Sequence, residues 1–276
     1  MKKEILQKYK AYLEKAERSV ATIGKYLSDV SAFLTWLGKR KTEKEIVLRY
    51  KEALAARYAP ASVNAALASL NSFFSYLGRE DLRVKSLKMQ RKVFSSPEKE
   101  LSRAEYERLL AAAKKKKNQR LYLLMQTVCT TGIRVSELCF VTVKAVWEGR
   151  AEVKCKGKHR TVFLPKGLCK ILREYSKARE IKEGPVFVTK NGRPLDRSNI
   201  WSDMKKLCAE AGVSEKKVFP HNLRHLFART YYGLQKDIVR LADILGHASI
   251  NTTRIYTMES GEIHRRQIEK LGLLLC

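Results

Sequence analysis

The sequence predicts a mainly α-helical protein of two domains, with a small antiparallel β-sheet in the second. Three observations lead there: apolar residues recur at a helical period through the first part of the chain, an aperiodic basic stretch follows, and alternating polarity between turn signals begins only at Val143. With 276 residues and 45% apolar content, two modest cores are within reach.

The first domain is expected over residues 1–87. Ile23, Tyr26, Leu27, Val30, Phe33, Leu34 and Leu37 share one helical face, Thr42 with Glu45 has the spacing of a capping box for a third helix, and Val63, Leu67, Leu70, Phe74 and Leu77 stripe a fourth. Together they predict a compact four-helix unit. Residues 88–99 carry basic groups, two serines and Pro97 without periodicity, and read as an interdomain linker. The second domain, 100–276, opens on another capping box, Ser102 with Glu105, followed by an apolar helical stretch from Leu121 to Val128. Alternation over Val143 to Trp147, Ala151 to Cys155 and Thr161 to Leu164, with Glu148-Gly149 and Gly157-Lys158 at the turns, predicts three antiparallel strands. Helical patterning returns over Lys166 to Arg179 and Ser198 to Ala211, around a hairpin-like Thr189 to Arg193, and again after Pro220, which suits a first helical turn.

The net charge is +28, from 56 Lys and Arg against 28 Asp and Glu. Such a field favours a polyanion and gives salt-sensitive affinity for nucleic acid. No apolar run approaches the roughly 18 residues of a membrane span, and Met1-Lys2-Lys3-Glu4 leads into amphipathic sequence, so a cytoplasmic, nucleoid-associated protein is expected. Cys129, Cys139, Cys155, Cys169, Cys208 and Cys276 form no Cys-x-x-Cys pair, and neither a zinc site nor a disulfide framework is expected.

Three motifs carry chemistry: Thr131-Gly132-Ile133-Arg134-Val135-Ser136-Glu137-Leu138, His221-Asn222-Leu223-Arg224-His225, and Leu245-Gly246-His247 with Tyr256 nine residues beyond the histidine. Cutting a phosphodiester without metal needs a nucleophile, neutralisation of the non-bridging oxygens and an acid for the leaving oxygen. Arginine suits the phosphate because its planar guanidinium donates paired hydrogen bonds and stays charged.

These motifs, in this order from about Leu101 to Thr257, resemble the tyrosine recombinase (phage integrase) family. The N-terminal unit is similar to the SAM-like core DNA-binding domain of that family, and the two-domain layout to its Xer-like members. The resemblance implies a catalytic set of Arg134, Lys156, His221, Arg224, His247 and Tyr256, with no cofactor and no metal. Lys156 is chosen from the hairpin run Val153 to Arg160 because a Lys-Gly pair occupies its turn, with Lys158 in reserve. In these roles Tyr256 attacks to form a 3′-phosphotyrosyl bond, His221 contributes as base, Lys156 protonates the leaving 5′ oxygen, and His247 hydrogen-bonds a non-bridging oxygen. The two domains are expected to form a C-shaped clamp on double-stranded DNA.

Other residues receive structural roles: Glu137 in packing or in orienting a basic neighbour, His225 in packing on a face away from Arg224, His159 and His264 at the surface, and Trp201 in the core or against DNA. The apolar tail, Ile263, Ile268, Leu271 and Leu273 to Leu275, suggests docking into a neighbouring protomer, hence a homo-tetramer on two DNA sites, alone or with a paralogous recombinase or accessory protein. Docking in cis is the alternative. The expected function is site-specific recombination through a Holliday junction, serving dimer resolution or mobile-element integration and excision. A type IB topoisomerase and a non-catalytic DNA-binding accessory protein remain as alternatives.

Overall fold

The computed structural model describes residues 2–89, 97–155, 158–189, 191–257, 265 and 268–271. The chain separates into two compact units, Met1–Arg91 and Lys92–Cys276.

In the first unit, α1 (Lys2–Lys15), α2 (Val20–Leu37), α3 (Lys44–Ala55) and α4 (Pro60–Tyr76) pack around Tyr9, Leu13, Val30, Phe33, Val47, Leu67 and Phe74. Phe33 meets Phe74 edge-on at 5.7 Å between ring centres, the arrangement the aromatic quadrupole favours. Ser19 caps α2 by accepting from the Thr22 amide. The expected capping box of α3 is corrected: the cap is Glu43, which makes no side-chain capping bond. The helix starts one residue late for the box, so Glu45 falls at the second helical position instead of the third. Leu77 lies at the end of its stripe as the C-cap of α4 and is exposed. Beyond it, Asn71 exchanges both amide bonds with the backbone of Val84, and Asn64 does the same with Leu87, so two side chains act as surrogate strand partners for an irregular segment.

The second unit contains α5 (Arg103–Lys115), α6 (Gln119–Thr131), α7 (Val143–Glu148), β1 (Arg150–Cys155), β2 (Lys158–Phe163), α8 (Lys166–Ala178), α9 (Arg197–Lys205), α10 (Cys208–Ala211), α11 (Pro220–Gln235), α12 (Ile238–Leu245) and α13 (Ile250–Thr257). The Ser102–Glu105 capping box on α5 is formed in both directions, and Pro220 occupies the first turn of α11. The sheet has two antiparallel strands, Arg150 facing Phe163 through to Cys155 facing Lys158.

The first of the three expected strands, Val143 to Trp147, is instead the helix α7. Thr142 caps it by accepting from the Ala145 amide at 3.1 Å, and Gly149 closes it in the left-handed region at φ +71°. Six residues with Ala145 and Val146 buried fit a helix turn as readily as a strand, and the caps decide it. Ser198 to Ala211 likewise divides into α9 and the single turn α10. No described helix is long and apolar enough to cross a membrane. The expected tail run from Leu273 onward, with Ile263 and His264, lies outside the described residues, as do most of the linker and Lys156.

Candidate active site

Helix α6 runs through the core against α11 and ends at Gly132, whose φ of +65° closes the helix in the left-handed region. A side chain there would also collide with Phe227, since a Cβ would stand 2.5 Å from its ring. The turn delivers Arg134 to the surface with 36% of its side chain exposed. Its amide and guanidinium both donate to Glu137, at 3.0 and 2.8 Å.

Glu137 is buried and shared. Its second oxygen also accepts from Arg160 of β2 at 2.6 Å. Burial alone would raise this carboxyl, but the Arg134 hydrogen bonds and the Arg160 charge outweigh it and hold the group below its ordinary range. Arg160 reaches on to the carbonyl of Ile244 at 2.7 Å. The Glu137 carboxylate therefore ties the Arg134 turn to the strand hairpin, and the Arg160 guanidinium ties the hairpin to the end of α12.

Arg224 is the largest fully buried side chain among the described residues. It donates to the carbonyl of Gly132 and to that of Leu245 at 2.7 Å, so it closes the C-terminal ends of α6 and α12 at once. Among the described residues no carboxylate pairs with it, and its Nε is buried without a hydrogen bond. Burial, then the neighbouring Arg134, push the guanidinium down to about 10; the Tyr256 hydroxyl opposes the shift. An unneutralised buried cation with an orphaned donor is costly in the absence of an anion.

His247 follows Gly246, the left-handed cap of α12 at φ +65°. Its Nε2 lies 3.1 Å from Arg224 Nη2 and its Nδ1 2.9 Å from Thr253 Oγ1. Burial pushes the imidazole down to about 4, with Arg224, Arg134, Arg160 and His221 adding to it.

Tyr256, buried on α13, brings its hydroxyl to 3.4 Å from His221 Nε2. Its ring stacks on His247 at 5.7 Å and meets His225 edge-on at 4.4 Å. His221 keeps an open outer edge, yet burial on its inner side, then Arg224, Arg134 and Arg197, lower its pKa. All three imidazoles around the phenol are thus held toward the neutral form.

Five of the six expected site residues, Arg134, His221, Arg224, His247 and Tyr256, converge here; Lys156 lies outside the described residues. The backbone of Lys158 begins β2. A groove of about 790 Å³ beside Arg134 is lined by Glu137, His159, Arg160, Gly246 and His247, and a smaller one of about 150 Å³ runs past Arg197, His221 and Arg224. Sequence reasoning missed Arg160, Arg197 and Thr253. It assigned His225 to packing, and that packing is on the phenol of Tyr256 and on His221, one turn away. The i, i+4 spacing of the two histidines was the available signal. Trp201 is exposed, with Lys205 over its ring at 5.5 Å. Among the described residues no group of three or more His, Cys, Asp or Glu side chains is arranged to hold a metal ion. The convergence offers guanidinium donors around an anion-sized opening, a phenol oxygen beside them, and a neutral imidazole on that oxygen.

Residues 99–262 match the phage integrase family model, and residues 6–81 match the phage integrase N-terminal SAM-like domain. The tyrosine recombinase XerA of Pyrococcus furiosus is 30% identical over 99% of this chain and 96% of its own. The crystal structure of XerA recombinase aligns over the whole of both chains at 29% identity, with a TM-score of 0.55. A lambda integrase tetramer bound to a Holliday junction shares the fold at 20% identity, with a TM-score of 0.71 over 92% of this chain and 76% of that one.

Proposed function

The chain belongs to the phage integrase family of tyrosine recombinases, and from that premise we propose that it cuts and rejoins double-stranded DNA at specific sites through a 3′-phosphotyrosyl intermediate. The observation that carries the chemistry is Arg224: a buried guanidinium with no carboxylate partner among the described residues, its Nε unsatisfied, next to the Tyr256 hydroxyl. A scissile phosphate supplies the missing anion.

In this reading Arg134 and Arg224 neutralise the non-bridging oxygens while the Tyr256 oxygen attacks phosphorus. The phenol proton passes to His221, whose lowered pKa keeps it an acceptor at neutral pH. The P–O5′ bond breaks as the P–O bond to tyrosine forms, and Lys156, or Lys158 in its place, protonates the departing 5′ oxygen. His247 donates to a non-bridging oxygen as charge gathers there. One phosphodiester is exchanged for another, so a 5′ hydroxyl from a partner duplex reseals the strand without ATP.

Two such rounds on paired sites pass through a Holliday junction and call for four protomers, the assembly seen in the lambda integrase structure. The unit at 1–87 and the catalytic unit at 100–276 would clamp the duplex from two sides across the linker at 88–99. Resolution of chromosome or plasmid dimers and movement of a mobile element both use this reaction.

The test is covalent trapping on nicked duplexes drawn from the gene's flanking DNA and from chromosomal dimer-resolution sites. Wild type should give a denaturation-resistant adduct, and Tyr256→Phe should bind equally and give none. An adduct that persists in the phenylalanine variant removes Tyr256 as nucleophile.

A further inference from the structure

The two hydrogen bonds of His247 fix where its proton sits. A guanidinium only donates, so Arg224 Nη2 at 3.1 Å requires a lone pair on Nε2. The single proton of the neutral ring is then on Nδ1, and Thr253 Oγ1 at 2.9 Å accepts it. In the free protein His247 is therefore the Nδ1–H tautomer, which has nothing to donate from Nε2 to a phosphate oxygen.

Gaining a second proton would restore that donor, but the surroundings oppose it. Arg224 and His221 face the ring from α11, Arg134 from the turn after α6, and Arg160 from β2, while Tyr256 of α13 stacks on it and Asp243 of α12 lines the same groove. What remains is a change of tautomer. The group on Nδ1 must then accept a hydrogen bond in one state and donate one in the other, and a hydroxyl is a side-chain group that does both. Thr253 is fully buried, bonds through its hydroxyl to no side chain but His247 among the described residues, and lies one turn before Tyr256 on α13.

We propose that Thr253 is a positioning residue whose hydroxyl lets His247 switch from the Nδ1–H to the Nε2–H tautomer when a phosphate displaces it from Arg224; this rests on the proposed phosphate site. The proton balance is neutral. Nε2 takes one proton from solvent, Nδ1 returns one to solvent, and the threonine hydroxyl turns from accepting at Nδ1 to donating to it. Arg224, released from Nε2, has Nη2 and the orphaned Nε available for two phosphate oxygens.

The experiment is nitrogen-15 NMR of imidazole-labelled full-length protein, with His247 assigned through a His247→Asn variant, before and after adding inorganic phosphate. Wild type should move from the Nδ1–H to the Nε2–H pattern, and Thr253→Ser should follow it. Thr253→Val keeps the shape without the hydroxyl; it should not switch, and its covalent adduct on nicked DNA should form about tenfold more slowly with duplex binding unchanged. An Nε2–H ring in free wild type, no switch on phosphate, or a valine variant that switches normally overturns the proposal. A wild-type switch with no Tyr256-dependent adduct on any duplex would instead sink the recombination chemistry and leave the tautomer inference standing.

Discussion

The Tyr256 hydroxyl stands 3.4 Å from Nε2 of His221, a long contact between a phenol and an imidazole that burial and three arginines keep toward its neutral form. Contacts of this kind commonly tighten only when substrate is bound. His221→Ala should therefore slow adduct formation by about a hundredfold while leaving DNA binding intact. The pH dependence follows from the sign of the shift. A lowered pKa leaves the acceptor form populated below the ordinary histidine range, so the His221-dependent part of the rate at subsaturating DNA should be flat from pH 7 upward and fall only in acid. A dependence on His221 that keeps growing between pH 7 and 8 would remove it as the proton acceptor.

His225 and His247 make stability itself pH-dependent. Both imidazoles are pushed down to about 4, by burial first and then by nearby charge. In the unfolded chain they titrate near their ordinary value of about 6.5, so between these limits the unfolded state binds more protons. Their contribution is present above about pH 6.5 and is lost as pH falls toward 4, by at most about 3 kcal/mol for each ring. Thermal unfolding of the full chain should show this decline. His225→Phe, which keeps a ring against Tyr256 but cannot titrate, should flatten part of it; an unchanged slope would mean His225 does not stay neutral.

Glu137 joins the Arg134 turn to Arg160 of β2. Removing it leaves Arg134 and the nearly buried Arg160 without their carboxylate, and breaking a buried pair from one side typically costs about 3–5 kcal/mol. Glu137→Ala should lower urea stability on that scale. Glu137→Gln, which retains acceptor capacity on one oxygen, should lose less. An alanine variant as stable as wild type would mean that solvent replaces the carboxylate at both guanidiniums.

Much of this site was legible because its chemistry sits in short motifs: His221 and Arg224 one turn apart on a helix opened by Pro220, and Tyr256 at a fixed distance behind Gly246-His247. The network beneath was not. Arg160 lies 23 residues from Glu137 and 84 from Ile244, and nothing in either neighbourhood announces that one guanidinium spans both. Thr253 reads as an ordinary polar helix residue until the imidazole is seen against it. In the fold, α2 and α4 were recognisable by period and α5 by its capping box, whereas α7 failed because six residues do not separate a period of 3.6 from one of 2.

Gly246 tests whether the network positions the site or merely stabilises it. Its φ of +65° is strained for any side chain, and a Cβ there would run into the Arg160 side chain. Gly246→Ala must therefore move either the cap of α12 or Arg160, and should cost about 1–3 kcal/mol of stability. Its effect on chemistry should be larger than that loss explains. His247 is the next residue, and Arg160 holds both Ile244 and the Glu137 that fixes Arg134. At a temperature where the variant remains folded, its adduct should form at least about tenfold more slowly, as expected when catalytic groups are displaced by a fraction of an ångström to an ångström. Arg160→Ala in the same background removes the collision but also the tether. If Arg160 only fills space, this double variant should recover the wild-type rate; if Arg160 positions Arg134 and His247, the rate should stay low while part of the stability returns.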